Sequence, residues 1–237
     1  MNIQKIGKLL VILFIVTGFA ACNEDETENF ELIGEVLTTK RTINGEDKYA
    51  QTYYAYANQG MDSAVVILPN GTNVALSSGG SQNLTYMKEP SMEDYSAFAA
   101  GAGTYEFVVK SNDLEYTATE NHVFTDISIP TIDSVGLDYA NQLVGVAWEN
   151  YEDANTYVVR LFDEDRETVF ISYYFADTAY EITLDSSTGS WQKTLQAGST
   201  YTIEVQAMVF DEEATDSDYF FHIQSIAIGS TDFIWQE

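Results

Sequence analysis

From residue 30 onward the apolar residues come in short runs broken by turn pairs, and no stretch carries them at helical spacing. Val65-Val66-Ile67-Leu68 closes at Pro69-Asn70-Gly71 and resumes at Val74-Ala75-Leu76, which is the pattern of a hairpin. Residues 104–109 (Thr-Tyr-Glu-Phe-Val-Val) form a strand, and Asn112-Asp113 turns the chain into another over 114–119. Residues 132–137, 143–148, 157–162, 169–175 and 180–184 repeat the motif. Tyr and Phe, at 16 and 13 copies, supply the bulk that pleated faces favour. Half-apolar strands of this length bury their faces only by stacking in layers, so the fold class is all-β and the architecture a sandwich. Residues 92–100 alone leave room for a short helix. Ile129-Pro130 marks a boundary, because proline cannot donate to a central ladder. The spacing thus predicts two tandem sandwich domains, at 30–128 and 129–237.

The second of these is the more legible. Leu195-Gln196-Ala197-Gly198-Ser199-Thr200-Tyr201 leads into the alternating Thr202-Ile203-Glu204-Val205-Gln206-Ala207. This resembles the fibronectin type III signature. The resemblance implies that Tyr201 forms a tyrosine corner, with its ring in the core and its hydroxyl on upstream backbone. It also implies that Trp148 lies on the second strand and that Tyr157 opens the third. Ala197 stands where the family usually has proline, and residues 185–191 are an insertion expected to protrude as a hairpin. Residues 30–128 show only a generic immunoglobulin-like pattern.

The N-terminus carries a different message. Lys5 and Lys8 precede an apolar run over 9–16, too short to span a bilayer, and small residues follow. Phe19-Ala20-Ala21-Cys22 resembles a bacterial lipobox. The resemblance implies that residues 1–21 are a signal peptide and that Cys22 is lipidated, tethering the chain to the outer membrane by several acyl chains. Glu24, Asp25, Glu26 and Glu28 form an acidic linker over 22–29. This resembles the export signal of surface lipoproteins of Bacteroidota type and implies a chain facing the cell exterior. Cys22 is the chain's one cysteine, which excludes an internal disulfide. The formal charge is −27, falling to about −29 once Lys5 and Lys8 are removed. Such a body repels phosphate backbones and anionic lipid, so nucleic acid is excluded as a partner and the membrane is reached through the lipid alone.

No nucleophile elbow, no His-Glu-x-x-His pair and no phosphate loop is present, and the chain is not expected to be an enzyme. His122 and His222 are too far apart in sequence to suggest a zinc site. Two acidic loops, holding Glu152 and Asp153 in one and Asp211, Asp216 and Asp218 in the other, would emerge at one pole of a fibronectin-like domain. Their carboxylates could ligate Ca2+ or be two solvated loops. No other cofactor is indicated. Trp191 in the insertion and Tyr53 and Tyr54 in a tyrosine-rich strand are the candidate ligand contacts, since aromatic faces stack on sugars and dominate protein contacts. The expected role is a non-catalytic binding, adhesion or spacer module at the cell surface, meeting a surface protein or a glycan. The alternative is a carbohydrate-binding accessory lipoprotein of a polysaccharide-uptake system.

Overall fold

The computed structural model describes residues 29–80, 82–99, 101–149, 151–211, 214 and 222–236. Residues 1–28, with Cys22 and all of the expected signal and acidic linker except Asn29, lie outside these residues, as do Asp216 and Asp218. The first half contains β1 (Leu32–Ile43), β2 (Glu46–Ala57), β3 (Ser63–Ile67), β4 (Asn73–Ala75), β5 (Ser77–Ser78), β6 (Thr85–Lys88), β7 (Gly103–Ser111) and β8 (Leu114–His122). The second contains β9 (Ile132–Asp138), β10 (Leu143–Trp148), β11 (Thr156–Phe162), β12 (Thr168–Ser172), β13 (Phe175–Ala176) and β14 (Glu181–Leu184), then β15 (Gly189–Trp191), β16 (Thr200–Phe210) and β17 (Ile223–Ile234). Within residues 92–99 the chain holds one short 3-10 helix, Met92–Asp94. The protein is an all-β sandwich fold, as its patterning requires.

Turn chemistry explains the local pairings. The β3–β4 hairpin closes through Gly71 at φ 83°, and the Asn70 side chain accepts the Thr72 amide at 2.9 Å. Asn112 and Asp113 both take positive φ, 52° and 64°, the twist that a two-residue hairpin between β7 and β8 demands.

Each half is layered. In the second half β14-β10-β9 packs on β12-β11-β16-β17, three strands against four. Trp148, Tyr157, Val159, Leu161, Phe170, Ile203 and Val205 fill the space between. Tyr201 is buried, and its hydroxyl accepts the Gln196 amide at 2.7 Å, so the tyrosine corner is present. Tyr201→Phe is expected to lower stability by about 1 kcal/mol, read as a lower urea midpoint at unchanged slope. In the first half β1-β2-β6-β5 faces β4-β3-β7-β8, burying Val36, Ala55, Val66, Phe107 and Val109.

The insertion does not stand out as a free hairpin. Its strand β15 pairs with β12 and extends the sheet edge. A Cβ on Gly189 would lie 2.3 Å from the Ile171 carbonyl oxygen, so glycine is what lets the two backbones close.

The two halves share a sheet. β1 pairs in parallel with β17, Thr38 opposite Ser225 and Arg41 opposite Ile228, so one ten-stranded sheet runs from β15 through β17 and β1 to β5. On the inner side of this seam lies the linker over 123–131. Lys40 is buried there, donating to the Asp126 carboxylate at 2.8 Å and to the Ile127 carbonyl at 3.2 Å. The Thr125 amide donates to Ser225 Oγ at 3.3 Å, and Ile127 enters the second core. A Cβ on Gly229 would sit 1.8 Å from the Pro130 carbonyl oxygen, so β17 needs glycine where the linker crosses it. The linker covers the inner face of the seam. The outer face belongs to neither core.

Candidate functional site

Alternation along the strands decides what that outer face carries. Val36, Tyr53 and Ala55 point inward in the first half, as do Val159, Ile203, Val205 and Ala227 in the second. The intervening residues point out: Glu35, Leu37, Thr39 and Arg41 of β1, Tyr54 and Tyr56 of β2, and Val158, Arg160 and Phe162 of β11. Glu204, Gln206 and Met208 of β16 and Ile226 and Ile228 of β17 do so too. Many of these are nevertheless buried, among them Glu35, Leu37, Val158, Glu204 and Gln206. On a flat sheet Tyr54 and Arg160 would stand four strand spacings apart, roughly 19 Å. Both nevertheless line the same hollow, so the sheet curls toward this face.

The curl creates two adjoining hollows with Leu37, Tyr54, Arg160, Gln206 and Ile226 as their common wall. The first, about 420 Å3, is framed by Glu35, Tyr54, Tyr56, Tyr173 and Tyr174 over an aliphatic floor that includes Val158, Met208 and Ile223. The second, about 640 Å3, is polar and holds Arg41, Arg160, Arg166, Glu204 and Glu89 under Tyr95. Both sizes suit small ligands, whose pockets run to about 300–1,000 Å3.

The charges are unusual for this chain. Its three arginines, Arg41, Arg160 and Arg166, all line the second hollow. Glu204 is 2% exposed, and its Oε1 accepts from Arg166 at 2.6 Å and Arg41 at 3.2 Å. Its Oε2 accepts from Gln206 at 3.2 Å. Arg160 makes no ion pair among the described residues. It donates to Thr168 Oγ1 at 3.2 Å, and its guanidinium lies 4.8 Å from the Phe162 ring centre. Glu35 is 3% exposed. Burial first, then the negative charges of Glu120 and Asp211, push its carboxyl up to about 9, against a backbone hydrogen bond from Ile223 that lowers it. It is therefore a neutral acid at neutral pH. Four buried side-chain polar atoms lack a partner among the described residues, and three are here: Glu35 Oε1, Arg41 Nε and Arg160 Nε. The fourth, Trp148 Nε1, is in the second core.

The aromatic frame is ordered as well. Tyr54 and Tyr56 lie 5.7 Å apart at an interplanar angle of 15°, a stacked, nearly parallel pair. The Tyr54 hydroxyl donates to Glu89 Oε1 at 3.1 Å. Burial raises both phenols, that of Tyr56 to about 12, so each stays a hydrogen-bond donor. Tyr173 and Tyr174, 58% and 39% exposed, form the opposite lip.

The residues singled out in the sequence fall unevenly around this site. Tyr54 lines it. Tyr53 points the other way, buried 6.1 Å from Tyr105, with its hydroxyl donating to Gln51 at 2.9 Å. Trp191 lies half-buried on β15 with its ring 4.9 Å from Phe170. Where the two acidic loops join the strands, Asn155 Oδ1 accepts the Phe210 amide at 2.9 Å. Glu152 and Asp153 are exposed, and Asp211 accepts from Gln224 at 3.1 Å. No three acids or histidines converge as a metal site among the described residues. Glu35, Arg160, Gln206, Tyr173 and Tyr174 line the site without a local sequence motif to mark them. Their signal was the concentration of every arginine near one sheet face in a strongly acidic chain, which becomes visible only once strand order is known.

No family model matches this chain, and no curated protein does. Among solved structures it is similar to the FN1–FN3 domains of chicken CNTN1, at 12% identity and a TM-score of 0.31, over 86% of this chain and 64% of that one. It is also similar to a two-domain fibronectin type III segment of chicken tenascin, at 11% identity and a TM-score of 0.28, over 77% and 92%. A third likeness, to the BSP domain of a biofilm-associated protein, has 13% identity and a TM-score of 0.26, over 87% of this chain and 30% of that one.

Proposed function

We propose that this chain is a lipid-anchored, non-catalytic binding module on the exterior of the outer membrane, and that its ligand seat is the curled free face of the ten-stranded sheet. The observation that carries the reading is the set of unpartnered buried polar atoms there. Leaving such atoms without partners costs about 1–3 kcal/mol each, and a ligand that supplies the missing bonds recovers that cost. A non-catalytic role is supported by the state of Glu204, whose two oxygens are occupied by Arg41, Arg166 and Gln206. It is not free to act as a base beside the neutral Glu35. The stacked Tyr54–Tyr56 pair supports a glycan, because sugar rings stack on aromatic faces.

Two measurements test the reading. Palmitate labelling in cells should mark the wild-type chain and not Cys22→Ala, which should leave the envelope fraction. On a glycan array the full chain should give positives that the Tyr54→Ala/Tyr56→Ala variant weakens by about tenfold or more. Equal labelling of both chains would remove the anchor, and a signal untouched by the tyrosine changes would remove the seat.

A further inference from the structure

We infer that the seat takes a carboxylate-bearing sugar unit, with the ring against the stacked Tyr54–Tyr56 pair and the carboxylate on the guanidinium of Arg160. This rests on the free face being the ligand seat and goes further by naming the ligand's chemistry.

Four observations converge on it. Among the described residues Arg160 is the arginine left without an ion pair: Arg41 and Arg166 share Glu204, while Arg160 donates to Thr168 and lies over the Phe162 ring. Its Nε–H is buried and unpartnered, and a carboxylate is the group whose two oxygens match the guanidinium fork. It also belongs to the wall common to both hollows, beside Tyr54, so an anion held there keeps its ring within reach of the tyrosines. Finally, Glu35 Oε1 lies unpartnered in the tyrosine-lined hollow, where a carboxyl that keeps its proton adds no negative charge and can pair with a sugar hydroxyl.

Charge balance points the same way. The polar hollow sets Arg41, Arg160 and Arg166 against Glu204 and Glu89, an island of net positive charge in a chain of formal charge −27. The acidic surround repels anions that do not fit, and the island accepts one placed correctly. A neutral sugar would leave Arg160 without a counter-charge.

The test uses the full chain in detergent micelles and isothermal titration. Probes are tetramers of galacturonic acid and of glucuronic acid, and the same tetramers with every carboxyl reduced to the alcohol. At least one acidic tetramer should bind, at least tenfold tighter than its reduced form and more weakly as salt rises. Arg160→Gln should cost that tetramer about tenfold to a hundredfold and leave the reduced one unchanged. Arg160→Lys, which keeps the charge and loses the fork, should fall between. Should Arg160→Gln unfold the chain, the comparison of acidic and reduced tetramers on wild type, with Arg160→Lys, still decides. If the reduced tetramers bind as tightly as the acidic ones, the carboxylate assignment is wrong while the seat stands. If an acidic tetramer binds and neither Arg160 nor the tyrosines affect it, the seat is wrong too. If no tetramer binds, the carboxylated-sugar assignment is overturned.

Discussion

Glu35→Gln is expected to abolish a fall in stability of roughly 3 kcal/mol that the wild-type chain shows between pH 6.5 and 9. The native carboxyl of Glu35 is held at about 9, against 4.5 when exposed. Below 4.5 both states carry the proton and the group has no effect. Between 4.5 and 9 the unfolded chain releases a proton that the native chain keeps, so each pH unit lowers stability by about 1.4 kcal/mol. Above 9 both states are ionised and the loss stops growing. The groups that set this value reach Glu35 from three sides: Glu120 on β8, Asp211 after β16, and the Ile223 backbone on β17.

A second buried group opposes it at lower pH. His122, 2% exposed and bonded to Thr38 Oγ1 at 2.9 Å, is lowered to about 4 from 6.5, chiefly by burial. Between 4 and 6.5 the unfolded chain binds the proton that native His122 refuses, so stability rises with pH there. The slopes nearly cancel up to 6.5, and Glu35 alone governs the descent beyond it. Urea denaturation at half-unit pH steps should show a plateau and then a drop in wild type. In Glu35→Gln it should show a rise followed by a plateau. A parallel descent in both chains would mean that Glu35 ionises normally in the fold.

Glu204→Gln should cost about 3 kcal/mol. Removing one member of a buried ion pair costs about 3–5 kcal/mol, since the remaining charge stays desolvated. The lower end applies because Arg166, at 49% side-chain exposure, can turn to water. Arg41 cannot do so as readily at 18%, with its guanidinium 5.4 Å from the Tyr95 ring centre. Adding Arg41→Gln to Glu204→Gln should therefore recover part of the loss, and the non-additivity measures the coupling. Additive losses would show that Glu204 stabilises the sheet by packing and not by charge.

What the sequence reveals tracks the range of each interaction. The Asn112-Asp113 turn and the Tyr201–Gln196 corner are legible because the residues that make them lie within a few positions of one another. Trp148 and Tyr157 are legible through their place in the strand rhythm. The β1–β17 pairing is not, because nothing local to Thr38 or Ser225 announces the other. The seat inherits that opacity. Glu35, Arg160 and Glu204 each read as a polar break in an apolar strand, and only the strand order places them on one face. Tyr53 and Tyr54 are neighbours in sequence and therefore oppose each other across the sheet, so the tyrosine cluster contains one residue for the core and one for the seat. The insertion around Trp191 reads as a protruding hairpin because a glycine that lets two backbones touch looks, in sequence, like a glycine at a loose turn.

The parallel seam also has a consequence for how the chain is made. Through synthesis, β1 must wait for β17 to emerge. Until residue 225 reaches residue 38, β1 presents a bare row of amides and carbonyls to any neighbour. A message cut short anywhere before β17 thus yields a sticky product, and quality control by the cell would have to act on the first strand for a fault in the last.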